Sequence, residues 1–185
     1  MSTIKVSNIQ DIANNAAMSM SNGVVTFTKV PVNAGGGKLL QMKKFLRNSV
    51  GYFSNTIPYD DSVPQIGEGS LIFTLAFTPT KATSELKLEI SAMVANQDVT
   101  QITIALFQDS ISNALAASGS FNSASNQPHN ISFSHIMNAG STSTKTFTVR
   151  MGAGGGNSIL NGGASGGRRY GGVASSGIVI TEIGA

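Results

Sequence analysis

Apolar and polar positions alternate with period two along most of the chain. Leu86, Leu88, Ile90, Ala92 and Val94 alternate with Lys87, Glu89, Ser91 and Met93. Ile102, Ile104 and Leu106 alternate with Thr103, Ala105 and Phe107, and Phe147, Val149 and Met151 with Thr146, Thr148 and Arg150. Ile131 and Phe133 alternate in the same way with Ser132 and Ser134. This spacing sends successive side chains to opposite faces of a strand. The runs 24–30, 38–46, 71–77 and 178–183 read as further strands, and Pro58, Pro64, Pro79, Pro128 and clusters of Gly separate the runs. Only 11–20 and 110–117 leave room for a helical turn. About eight short strands divided by frequent turns predict an all-β fold, an antiparallel β-sandwich of the jelly-roll type.

Two stretches break the pattern. Residues 1–37 are rich in Asn and Ser and end in Gly35-Gly36-Gly37. They read as an extended N-terminal arm joined through a Gly hinge to a head domain, 38–185. Ile4, Val6, Ile9, Ile12, Val24, Val25 and Phe27 are too many apolar groups for a purely disordered tail and too few for a separate core. They are therefore the candidates for docking the arm onto another protein. The second stretch, 152–172, holds ten of the chain's 21 Gly among Asn, Ser, Arg and Tyr. So long a loop in a compact domain is functional or is held by a neighbour.

The final strand is apolar on both faces, with Ile178 and Ile180 on one and Val179 and Ile183 on the other. Phe107 adds an apolar group to the nominal outer face of its own strand. A sheet with one face in water alternates more cleanly. Phe107, Val179 and Ile183 are therefore candidates for a subunit interface.

Composition narrows the function. Charged residues make up 11% of the chain, against about 25% in ordinary soluble domains. The polar surface is thus mostly Ser, Thr, Asn and Gln, which suits sheets, sugar contacts and subunit interfaces. The net charge of +3 comes without a long basic run, since Lys43, Lys44 and Arg47, then Arg168 and Arg169, are the densest groups. That excludes nucleic acid as the expected partner. No stretch of eighteen apolar residues predicts membrane insertion, and Met-Ser-Thr-Ile-Lys-Val at the start has no apolar run of a secretory signal. The chain has no Cys, so neither disulfides nor thiolate metal sites are expected.

The candidate chemistry is sparse. Asp60 and Asp61 are adjacent in an extended segment and point apart, which serves glycoside hydrolysis poorly. Between Pro58 and Pro64 they better serve a turn. With Glu68 their oxygens would suit calcium, but no metal is expected. His129 and His135 sit in no nucleophile motif, and His135 continues the alternation of Ile131 and Phe133. Gly152 to Gly156 lacks the following helix and Lys-Ser or Lys-Thr of a phosphate loop. No catalytic residue and no cofactor are expected, so the chain is read as a non-enzyme. Arg168, Arg169 and Tyr170, with Asn157 and Asn161, are the best-endowed cluster: planar donors, a flat ring and amides suit a saccharide.

The segment Ile57-Pro58-Tyr59-Asp60-Asp61-Ser62-Val63-Pro64-Gln65-Ile66-Gly67-Glu68-Gly69 carries a resemblance. It resembles a group of phage tail fibre and virion structural proteins with an Ile-Pro-x-Asp-Asp-Thr-Ile-Pro-Gln-x-x-Glu-Gly pattern. The likeness continues through Thr78-Pro79-Thr80, Leu86 to Ile90 and Ala105 to Asp109. It closes with Asn161-Gly162-Gly163, Arg168 to Gly172, and Thr181-Glu182-Ile183. It covers about 49–183; Ser62 stands where the group often has Thr.

The resemblance implies a jelly-roll head like that of tumour necrosis factor, a homotrimer, and a place in the virion after synthesis in the host cytoplasm. The expected function is that of a short tail fibre or fibre-tip protein. Its arm would bind other virion proteins of the tail, baseplate or capsid, and its Gly-rich loop a host cell-surface polysaccharide. A capsid decoration protein and a stand-alone carbohydrate-binding module are the alternatives.

Overall fold

The alternation runs out as strands. The computed structural model describes residues 37–163 and 167–184, together with the backbone of three short strands among the first 36 residues. The chain divides into two units, 1–37 and 38–185.

In the first unit, β1 (Asn8–Gln10), β2 (Ala16–Ser21) and β3 (Val24–Phe27) form an antiparallel meander in the order β1-β2-β3. The expected extended arm thus contains a small sheet. A strand stands where 11–20 left room for a helical turn, because Met18 and Met20 alternate with Ser19 and Ser21. Ile4, Val6 and Ile12, and the side chains of Ile9, Val24, Val25 and Phe27, lie outside the described residues.

The second unit contains β4 (Lys38–Arg47), β5 (Gly51–Phe53), β6 (Ser70–Phe77), β7 (Glu85–Asn96) and β8 (Thr100–Gln108). It continues with β9 (Ala116–Asn122), β10 (His129–Asn138), β11 (Lys145–Ala153), β12 (Ser158–Leu160) and β13 (Ser176–Gly184). One sheet runs β4-β13-β7-β10 and the other β6-β11-β8-β9; β12 and β5 extend the first beside the far end of β7. All these pairings are antiparallel. From β6 to β11 consecutive strands lie in opposite sheets except for the β8-β9 hairpin, which is the jelly-roll arrangement expected from the alternation.

The register decides which residues meet. Ile178 lies opposite Ile90 and Ile180 opposite Leu88, while Ile131 lies opposite Ala92 and Phe133 opposite Ile90. In the other sheet Phe147 pairs with Leu75, Val149 with Phe73 and Leu106, and Met151 with Ile104. These rows face each other and form one buried core. Burial of each such side chain contributes roughly 1.5–3 kcal/mol.

The same register brings Glu182 into the inner row, opposite Leu86 and Gln41, where it is fully buried. Its carboxylate accepts hydrogen bonds from Gln41 Nε2 (2.6 Å), Thr80 N (2.9 Å), Thr80 Oγ1 (2.9 Å) and Lys81 N (3.1 Å). Burial alone raises the pKa. The hydrogen bonds from Gln41 and Thr80, with the attraction of the buried Ser84 hydroxyl alongside, outweigh it and hold the carboxyl at about 2. Ser84 Oγ itself closes no hydrogen bond of ordinary geometry. Glu182 therefore ties β13 to the Thr-Pro-Thr turn after β6. Gln41 Nε2 also donates to Thr78 O (2.8 Å) and Lys43 Nζ to Ala76 O (2.8 Å), so β4 fastens the edge of one sheet to the other.

Candidate functional site

The acidic segment 57–69 serves packing. Ile57 is buried with Ala105 and Phe107 in a second small core, against which Ile66 and Ala114 pack. Phe107 is fully buried inside the chain. Its outer face is covered by the chain's own 57–69 segment, which removes it from the candidate subunit interface. Asp60 accepts hydrogen bonds from Ser62 N (2.8 Å) and from Ser62 Oγ, closing a turn and holding its pKa below the ordinary value. Glu68 Oε2 accepts from Gln65 N (2.9 Å). Arg150 donates from Nε to Glu68 O (2.8 Å) and from Nη2 to Gly69 O (3.1 Å). Among the described residues no group of three His, Asp or Glu side chains could hold a metal ion.

The five candidate receptor residues divide. Asn161 is buried: its Nδ2 donates to Arg47 O (2.8 Å) and its Oδ1 accepts from Ser176 Oγ (2.6 Å). It locks the Gly-rich loop to β4 and β13 and cannot meet a receptor. Asn157 is half-buried and donates from Nδ2 to Gln97 Oε1 (2.9 Å). Arg168 is exposed and Arg169 half-buried, and each packs on a Gly of the same loop: Arg168 on Gly172, Arg169 on Gly163. Tyr170 is 71% exposed and opens a short 3-10 turn, Tyr170–Gly172.

Tyr170 lines a groove of about 400 Å³ with Met93, Pro128, His129, Asn130 and Ser175. No charged side chain lines it. His129 and Asn130 begin β10, and His129 Nε2 lies 3.1 Å from Asn122 Oδ1. Asn122 Nδ2 donates to Asp98 O (2.6 Å), so this wall is braced from beneath. The groove shares Ser175 with a second, of about 570 Å³, that runs over Ser91, Ser132 and Ser134 on the outer face of the β4-β13-β7-β10 sheet. Sequence reasoning missed His129 and Asn130 as neighbours of Tyr170, because His129 lies 41 positions before Tyr170 in the chain.

On that outer face the register sets Leu46 opposite Gly177, Lys44 opposite Val179, Met42 opposite Thr181 and Leu39 opposite Ile183. Leu39 and Met42 are each 61% exposed and Leu46 52%. Val179 and Ile183, two of the candidate interface residues, are half-buried beside them. The β4 and β13 strands thus carry an apolar strip, and the β7 and β10 end carries the neutral groove.

No protein-family model and no curated protein sequence matches the chain. Among solved structures it is similar to the C-terminal domain of EclA, a sugar-binding protein, with 11% identity and a TM-score of 0.33, over 71% of this chain and 83% of that one. It is also similar to infectious bursal disease virus, Gx strain, with 9% identity and a TM-score of 0.38, over 96% of this chain and 37% of that one. The VP2 subviral particle of the same virus gives 10% identity and a TM-score of 0.36, over 91% and 37%. The chain therefore spans little more than a third of the viral chains. Similarities of this order carry no argument about function.

Proposed function

We propose that the chain is a structural protein of a phage particle, a short tail fibre or fibre-tip protein that assembles as a homotrimer and meets the host surface. The exposed apolar strip of Leu39, Met42 and Leu46, continued by Val179 and Ile183, carries the reading. Exposed apolar side chains grouped in this way mark an interaction site; Lys44 stands among them, and Glu85, Lys87 and Glu89 flank them from β7, with Lys87 and Glu89 paired at 2.8 Å. The resemblance along 49–183 supports three copies around an axis and a place in the virion. The first unit, 1–37, would hold the head to other virion proteins.

The test is mass and location. Light scattering at micromolar concentration should give three times the 19.1 kDa chain mass, and antibody-gold labelling of particles should mark the tail tip. A monomer overturns the assembly reading. Label spread over the capsid would replace the tail fibre with a decoration protein.

A further inference from the structure

We infer that the Tyr170 groove is a binding site for a neutral saccharide. The inference rests on the proposed contact with the host surface and gives that contact its chemistry. The groove, about 400 Å³, lies within the roughly 300–1,000 Å³ range of small-ligand sites. Its shape is built from two distant parts of the chain, the start of β10 and the 3-10 turn before β13.

Backbone strain points to the ring. Tyr170 has φ 51°, in the left-handed region, and is followed by Gly171 at φ 64° and Gly172 at φ 90°. An aromatic residue pays about 1–2 kcal/mol to stand there. Two Gly follow that would adopt the conformation freely, yet the ring occupies the first position and stays 71% exposed. The turn is closed by Gly172 N to Arg169 O (3.0 Å) and Val173 N to Tyr170 O (3.2 Å), so the ring is presented by a fixed backbone.

The lining selects the ligand class. A saccharide offers an apolar C–H face and a rim of hydroxyls. Tyr170 supplies a flat ring with a polar tip; Asn130 supplies an exposed amide, Ser175 a hydroxyl, and Met93 an apolar floor. His129 is already held through Nε2 by Asn122, which fixes its ring without a rearrangement on binding. Arg168 and Arg169 do not line the groove. Without a cation there, nothing rewards the carboxylate or sulfate of an acidic glycan. The ligand is therefore neutral, and three copies in a trimer would sum weak contacts into avidity.

The test uses the full chain, labelled with nitrogen-15, and methyl glycosides of glucose, galactose, mannose, rhamnose, N-acetylglucosamine and N-acetylgalactosamine at tens of millimolar. At least one should shift the amide signals of His129, Asn130, Tyr170 and Ser175 with a millimolar Kd, unchanged by added salt. Tyr170→Ala should remove those shifts, Tyr170→Phe should retain them, and Arg168→Ala with Arg169→Ala should leave the Kd within twofold. Absence of groove shifts with all six glycosides overturns the inference, as does a Kd that depends on the two Arg or on salt. Light scattering on the same samples separates the two readings. A trimer without groove shifts loses the saccharide site and keeps the assembly; a monomer with groove shifts does the reverse.

Discussion

Phe107 and Ala105 point away from the main core of their sheet, yet Ile57 and Ile66 lie over them. In the other sheet, Val179 and Ile183 also point away from the core, but stand half-open to solvent beside Leu39, Met42 and Leu46. Both outer faces carry apolar groups in sequence, and only one is closed by the chain itself. The centre of the β6-β11-β8-β9 sheet borrows a cover from the segment 57–69, leaving only marginal groups such as Leu71 and Phe121 exposed. An apolar residue on a nominally outer row is thus no sign of a partner until the loops have been accounted for. The open strip on β4 and β13 survives that test among the described residues.

The contrast can be broken from the covered side first. Phe107→Ala should cost about 3–5 kcal/mol in chemical denaturation, the loss expected for an aromatic removed from a sealed core. A loss below about 1 kcal/mol would mean that Phe107 is open to solvent after all.

Acidification should act next, through Glu182. Its folded pKa of about 2 lies below the ordinary 4.5. The stability it contributes is therefore fully present above the ordinary value and is lost as pH falls toward the folded one. Between about pH 5 and pH 2 denaturation should register a loss on the order of 2–3 kcal/mol from this group, and Glu182→Gln should flatten that part of the profile.

Gly69→Ala should follow, at about 2 kcal/mol. Gly69 has φ 62°, and an added Cβ would meet Met151 O at 2.9 Å and the Ile57 side chain at 2.8 Å, lifting the cover from Phe107. Smallest in fold stability is the open side. Leu39→Ser with Met42→Ser should change the stability of the isolated fold by about 0.5 kcal/mol or less. The same pair should reduce the mass in light scattering from trimer to monomer, with an unchanged circular dichroism spectrum.

Much of the fold was legible because burial imposes parity. The run Leu86 to Val94 not only reads as a strand but names its inner row. Glu182 shares the parity of Ile178 and Ile180, but a Glu reads in sequence as exposed, so its burial was not foreseen. β9 was not legible, because Ala116-Ala117-Ser118-Gly119-Ser120 carries no large apolar group to alternate. Gly119 has a reason that only the fold supplies: a Cβ there would meet Ile102 O on β8 at 2.9 Å. At the candidate site Tyr170 was legible as an exposed ring in a polar loop. Asn161 was misread, since an amide that satisfies buried carbonyls looks in sequence like one that greets a ligand.

The order in which β4 and β13 appear along the chain has a consequence for quality control. Gln41 and Glu182, partners across these two strands, are 141 residues apart. β4 has no other strand beside it in the described sheet, so it remains an unpaired ribbon until synthesis reaches 176–184. The apolar strip proposed for assembly is made jointly by these strands. In the proposed assembly, a chain that stops before β13 would lack one of the two strands of the contact surface and would be kept from joining complete chains. Long sequence separation slows closure of the sheet, and under that proposal competence to assemble would report that β13 has been made.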